Sequence, residues 1–164
     1  MTMHSFENPE RCTVGTIGEV GARLFLIQVR EGRRLLTVKV EKIQVATLAT
    51  YLARLVKEMG RPQHLPDDLN LEAELDIDFT VGDVNVMAVE DQLRIVLELD
   101  ELVAEDEEGD AAIISLTREQ AAAFAIHATR LVEGGRPPCP LCSLPLDPRG
   151  HDCPRTNGHR APIT

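Results

Sequence analysis

Two stretches of the chain repeat their apolar residues at helical spacing. In EKIQVATLATYLARLVKEMG the positions Val45, Leu48, Leu52, Leu55 and Met59 fall on one face, flanked by Ala46, Ala49 and Val56. In TREQAAAFAIHATRLVEGG the same spacing joins Ala121, Phe124, Ala125, Ala128, Leu131 and Val132. Thr117 and Gln120 form a capping box at the start of the second helix. Glycine followed by proline stops each helix, at Gly60-Arg61-Pro62 and at Gly134-Gly135-Arg136-Pro137.

Runs of period two precede each helix. RLFLIQVR, a turn at Glu31-Gly32 and LLTVKV read as a hairpin; VNVMAV, a turn at Glu90-Asp91 and LRIVLEL read as another. A short strand, AIISL, leads into the second helix. Shifting the first helix by 76 positions lays it on the second, matching Gln44 to Gln120, Ala46 to Ala122, Ala49 to Ala125, and Arg54-Leu55-Val56 to Arg130-Leu131-Val132. Thr13-Val14-Gly15 recurs as Thr80-Val81-Gly82, each ahead of a strand. The expected fold is therefore α+β: a tandem duplication of strand–strand–strand–helix units, about 6–61 and 69–134, forming an antiparallel sheet covered by two helices. Residues 1–136 make up this domain and 137–164 a separate C-terminal element.

LNLEAELDIDF alternates strictly from Leu69 to Phe79, which places Glu72, Glu74, Asp76 and Asp78 on one face. We expect a solvated edge strand whose charges discourage sheet-to-sheet pairing, with a docking surface for a basic partner as the sharper alternative. ELDELVAEDEEGD, with eight acids between Glu98 and Asp110, reads as an exposed connection.

Charge changes this picture more than composition does. The net charge is −10, but residues 11–61 hold ten Lys/Arg against four Asp/Glu, and residues 62–110 hold one Arg against seventeen Asp/Glu. An acidic total disfavours general affinity for nucleic acid or anionic membrane, and the asymmetry allows self-association into a homo-oligomer. Four Phe, one Tyr and no Trp imply an aliphatic core and few platforms for base stacking. The N-terminal residues carry neither a basic run nor an apolar core, and no apolar run reaches the roughly 18 residues of a membrane span, so a cytoplasmic protein is expected.

Candidate chemistry gathers at the C-terminal end, in CPLCSLPLDPRGHDCPRTNGH. Cys139 and Cys142 are spaced so that one tight turn directs both sulfurs at a single ion, and Cys153 adds a third thiolate. His151 and His159 compete as fourth ligand. With His151 the pattern is C-x2-C-x8-H-x-C, and Gly150 permits the bend before it, so His151 is favoured. Four protein ligands leave zinc no open position, which makes the expected Zn2+ site structural. A thioredoxin-like dithiol fits less well, because prolines flank Cys-x2-Cys and no helix follows. Cys12 is expected to pack as a small apolar residue, and His127 to sit in a helix without a chemical role.

NPERCTVGTIGEVGARLFLIQVREG, the helix after VEK, and GRPPCPLCSLPLDPRGHDCPRTNGHR together resemble the actinobacterial family catalogued as domain of unknown function 3090, from about Phe6 to Arg160. The resemblance implies a cytosolic bacterial protein of unassigned activity and supports Cys139, Cys142, His151 and Cys153 as metal positions. Where the family pattern often has tyrosine after Asn157-Gly158, this chain has His159, a departure that weakens His159 as a ligand.

No phosphate-cradling loop, nucleophile elbow or HExxH pattern occurs, and Gly15, Gly18 and Gly21 are spaced as turn glycines. The leading expectation is a zinc-bearing adaptor that binds another protein. An enzyme or small-molecule binder with a cleft between the two halves is the alternative. A weak nucleic-acid contact through Arg149, Arg155 and Arg160 ranks third.

Overall fold

The alternating runs become strands and the two helical runs become helices. The computed structural model describes residues 1–134 apart from Val20, Arg61, Gln63, Glu74 and Leu75, and the backbone of residues 151–152 and 160–161. In chain order the elements are β1 (Met3–Phe6), β2 (Arg11–Ile17), β3 (Leu24–Glu31), β4 (Arg34–Val40), α1 (Lys42–Met59), β5 (Phe79–Val89), β6 (Arg94–Glu101), β7 (Ala111–Thr117), α2 (Arg118–Val132), and the two-residue strands β8 (His151–Asp152) and β9 (Arg160–Ala161). Strand–strand–strand–helix thus occurs twice, as β2-β3-β4-α1 and β5-β6-β7-α2.

Seven strands form one mixed sheet in the order β1-β7-β6-β5-β4-β3-β2. The antiparallel sheet expected from the sequence is corrected at two pairings: β4 runs parallel to β5, and β1 parallel to β7. The first has a plain cause. α1 carries the chain back to the end of the sheet where β4 began, so the next strand must enter in the same direction. The second comes from an N-terminal strand too short to show a period.

This sheet curls. β1 and β2 stand at opposite ends of the strand order, yet only residues 7–10 link Phe6 to Arg11. Five backbone steps reach about 18 Å at most, whereas seven strands laid flat would separate the outer two by about 29 Å. Curling brings both ends onto the helices: α2 packs against β6 and β7 and also against β2, and α1 lies along α2. Inside the curl lie Val14, Ile27, Val38, Leu52, Ile95, Leu97, Ile114 and Phe124, all essentially sealed from water. No helix among the described residues is long and apolar enough to cross a membrane.

LNLEAELDIDF is not an edge strand; regular pairing begins only at its last residue, Phe79. The segment crosses the outer face of β2, β3 and β4 as a strap. Beneath it a polar row spans the three strands in register, Thr13 opposite Gln28 and Gln28 opposite Thr37, all buried. The strap satisfies that row. Thr13 Oγ1 donates to the Leu69 carbonyl at 2.5 Å, Glu72 N–H donates to Gln28 Oε1 at 2.7 Å, and Asp78 N–H donates to the Thr37 carbonyl at 2.7 Å. Thr37 N–H donates in return to Asp78 Oδ2 at 2.9 Å. Leu71 lies directly over Gly15, where any Cβ would collide with it. Both sets of alternating residues contribute contacts: Leu71 and Phe79 pack on the sheet, while Glu72 and Asp78 bond to it.

Candidate functional site

Part of the charge on the strap is spent internally. Arg30 donates to both Glu72 oxygens, at 2.6 and 3.0 Å, and Arg11 reaches Glu72 at 2.8 Å and Asp68 at 3.2 Å. The Arg30 hydrogen bonds, helped by Arg11, hold the Glu72 carboxyl down at about 2 against the opposing effect of partial burial. Of the four acids expected to share one solvated face, Glu72 and Asp78 are therefore committed to the fold, and Glu74 lies outside the described residues. At the far edge Asp110 accepts from Thr2 N–H at 2.8 Å and faces His4 Nε2 at 3.4 Å, and these contacts keep its carboxyl below the usual range.

A different surface remains open. Where α1 passes β5 the two elements diverge and leave a groove of about 470 Å³. Its floor is Leu48 with Val84 and Val86, and its rim carries Ile43 and Tyr51, which are 72% and 42% exposed. Asp83, Asn85, Gln44 and Thr47 supply its polar groups. Ile43, Thr47 and Tyr51 sit four residues apart and so line one side of the helix. Gln44 closes one end: its Nε2 donates to the Gly82 carbonyl at 2.8 Å, and its Oε1 accepts from Glu41 N–H at 2.7 Å.

The second unit treats the same helix face differently. By the shift of 76, Thr47 and Tyr51 correspond to Ala123 and His127 of α2. Ala123 is buried, and the His127 ring lies beside the Val14 carbonyl of β2. Burial pushes the His127 ring below its ordinary value, with the Val14 carbonyl pulling the other way. A methyl side chain lets β2 close on α2; in the first unit no such closure occurs and the groove stays open. The groove lies between α1 of the first unit and β5 of the second.

Sequence reasoning missed the individual groove residues. Ile43 and Tyr51 lie off the apolar stripe of α1, and large apolar residues on an otherwise polar helix face were the available signal.

Of the expected zinc ligands, Cys139, Cys142 and Cys153 lie outside the described residues, as does His159. His151 is described in backbone only, in β8, paired antiparallel with Ala161 of β9. Among the described residues no group of three or more His, Cys, Asp or Glu is placed to hold a metal ion. Cys12 is buried beneath α2 in the main core, and burial pushes its thiol up to about 12.

These features define a class: an α+β protein whose mixed seven-stranded sheet wraps two helices, with a groove between α1 and β5. The chain belongs to the family described as protein of unknown function (DUF3090), whose model matches residues 4–153. No curated protein matches it.

Proposed function

We propose that this chain is a binding protein, an adaptor that docks another protein in the α1–β5 groove and carries a structural Zn2+ in its C-terminal segment. The observation that carries the docking half is the groove itself. An apolar floor sits below an isoleucine left 72% exposed in the first turn of α1, with the chain's single tyrosine on the same rim. Exposed apolar groups clustered over a hollow mark interaction sites far more often than scattered ones do.

The zinc half rests on donor chemistry. Three thiols and an imidazole at Cys139, Cys142, Cys153 and His151 match the ligand types and the count that zinc takes in closed sites. With its coordination filled by protein, the ion would hold the segment together and leave no position for a reacting water. We read the two strand–strand–strand–helix units as a tandem duplication in which only the first kept an open helix face.

Two measurements test the proposal. Elemental analysis of the purified full-length protein is expected to return one zinc per chain, falling to none in a Cys139→Ser/Cys142→Ser variant; a metal-free wild type would refute the zinc half. A photo-crosslinking amino acid in place of Tyr51 is expected to give one reproducible protein adduct in native cells, lost when Ile43→Glu is added. Adducts indifferent to Ile43→Glu would refute the docking half.

A second reading has support in one dimension: about 470 Å³ falls within the range of small-molecule pockets. A metabolite that raises the melting temperature in wild type but not in Thr47→Trp would favour that reading.

A further inference from the structure

β4 and β5 pair only briefly, at Val38 with Phe79 and Lys39 with Thr80. Beyond that point the chain of β4 turns out of the sheet at Glu41 and becomes α1. β5 continues for nine more residues, to Val89, hydrogen-bonded to β6 on one side. Among the described residues its other edge has no strand partner, because the space where β4 would have continued is occupied by a helix. A helix has already used its backbone groups and cannot complete a ladder. One contact shows which way this edge faces: the Gln44 amide crosses from α1 to the Gly82 and Val81 carbonyls, at 2.8 and 3.4 Å. The backbone acceptors at this end of β5 thus face α1 and the groove.

Long open edges invite pairing, and proteins usually blunt them. Here the edge lies beside an apolar hollow, the combination used when an extended peptide adds a strand between a sheet and a helix. We propose that the α1–β5 groove captures its partner by strand addition, and that the captured segment is extended, with apolar and basic residues in alternation. This rests on the docking reading above and adds to it a mode and a chemistry.

Alternation follows from the pleat. Side chains of an added strand would point in turn to the two faces of the sheet. Those facing inward meet Leu48, Val84, Val86 and the ring of Tyr51. Those facing outward continue the face carrying exposed Asp83, with Asn85 opposite Glu98 across the β5–β6 ladder. Opposite charges on neighbouring strands stabilise pairing and like charges oppose it, so the outward positions call for lysine or arginine. The acidic bias of residues 62–110 acts in the same direction at longer range.

The experiment uses full-length protein and a synthetic seven-residue peptide alternating lysine and valine, followed by fluorescence anisotropy and amide hydrogen exchange. Binding is expected, with new protection at alternate amides of Val84–Val89. Methylating the peptide nitrogens that face β5 should weaken binding more than tenfold, and methylating the other set should leave it. Asp83→Asn should weaken binding by roughly two- to fivefold, the scale of one cross-strand charge pair. Equal tolerance of both methylation patterns, or binding without protection on β5, would overturn strand addition. So would failure of the peptide to bind at millimolar concentration. A partner crosslinked through Tyr51 with no β5 protection would leave the docking reading standing and remove this one. A peptide that protects β5 while the crosslinker finds no cellular partner would support strand addition and count against the adaptor role.

Discussion

Glu72 shows how a residue that looks solvated in sequence can be structural. Its carboxylate bridges Arg30 and Arg11, and its N–H donates to Gln28, so one residue ties the strap to both β2 and β3. With the folded carboxyl at about 2 and an ordinary value of 4.5, the unfolded chain binds the proton more readily. The resulting stabilisation is present above about pH 4.5 and drains away as pH falls towards 2. Glu72→Gln is expected to cost about 1–2 kcal/mol at pH 7. Chemical denaturation at pH 7 and pH 3 should show the gap between variant and wild type narrowing in acid. Cys12 makes the opposite point: buried and held protonated, it is a packing residue. Alkylation of native protein should leave Cys12 unmodified until denaturant is added, read by peptide mass mapping.

At the scale of elements, α2 begins on a reciprocal cap. Thr117 Oγ1 accepts from Gln120 N–H at 3.0 Å while Gln120 Oε1 accepts from Thr117 N–H at 3.0 Å, a closed reciprocal cap. Gln120 also donates to the Pro9 carbonyl at 2.8 Å, which fastens α2 to the link between β1 and β2. Thr117→Ala should therefore lower stability by about 1 kcal/mol, measurable by urea unfolding. Ile43 at the start of α1 behaves otherwise. Its side chain is exposed, so Ile43→Glu is expected to leave stability within about 0.5 kcal/mol while abolishing docking. Separation of those two effects identifies a surface kept apolar for contact.

At the scale of the whole molecule, the buried core runs from Phe6 to Ala128 and draws on both repeated units. Chelation of zinc is expected to leave the sheet-and-helix body folded, with an unchanged main melting transition by circular dichroism. The same treatment should expose three thiols to Ellman's reagent.

Much of this architecture can be read from the amino-acid order alone. Period two and period 3.6 identified five of the seven strands of the main sheet and both helices, because each periodicity reports which side of an element meets the core. The Thr117 cap and the glycine stop after α1 were equally visible, since capping is chemistry between near neighbours. The strap over Thr13, Gln28 and Thr37 was not legible: its partners lie 41 to 56 residues away in other strands, and no local pattern records which of them it meets. Nor was the parallel β4–β5 pairing, which depends on where α1 returns the chain. The groove belongs to tertiary structure for the same reason. It exists because a helix stands where a strand would have continued, and no local pattern in α1 or β5 records that substitution.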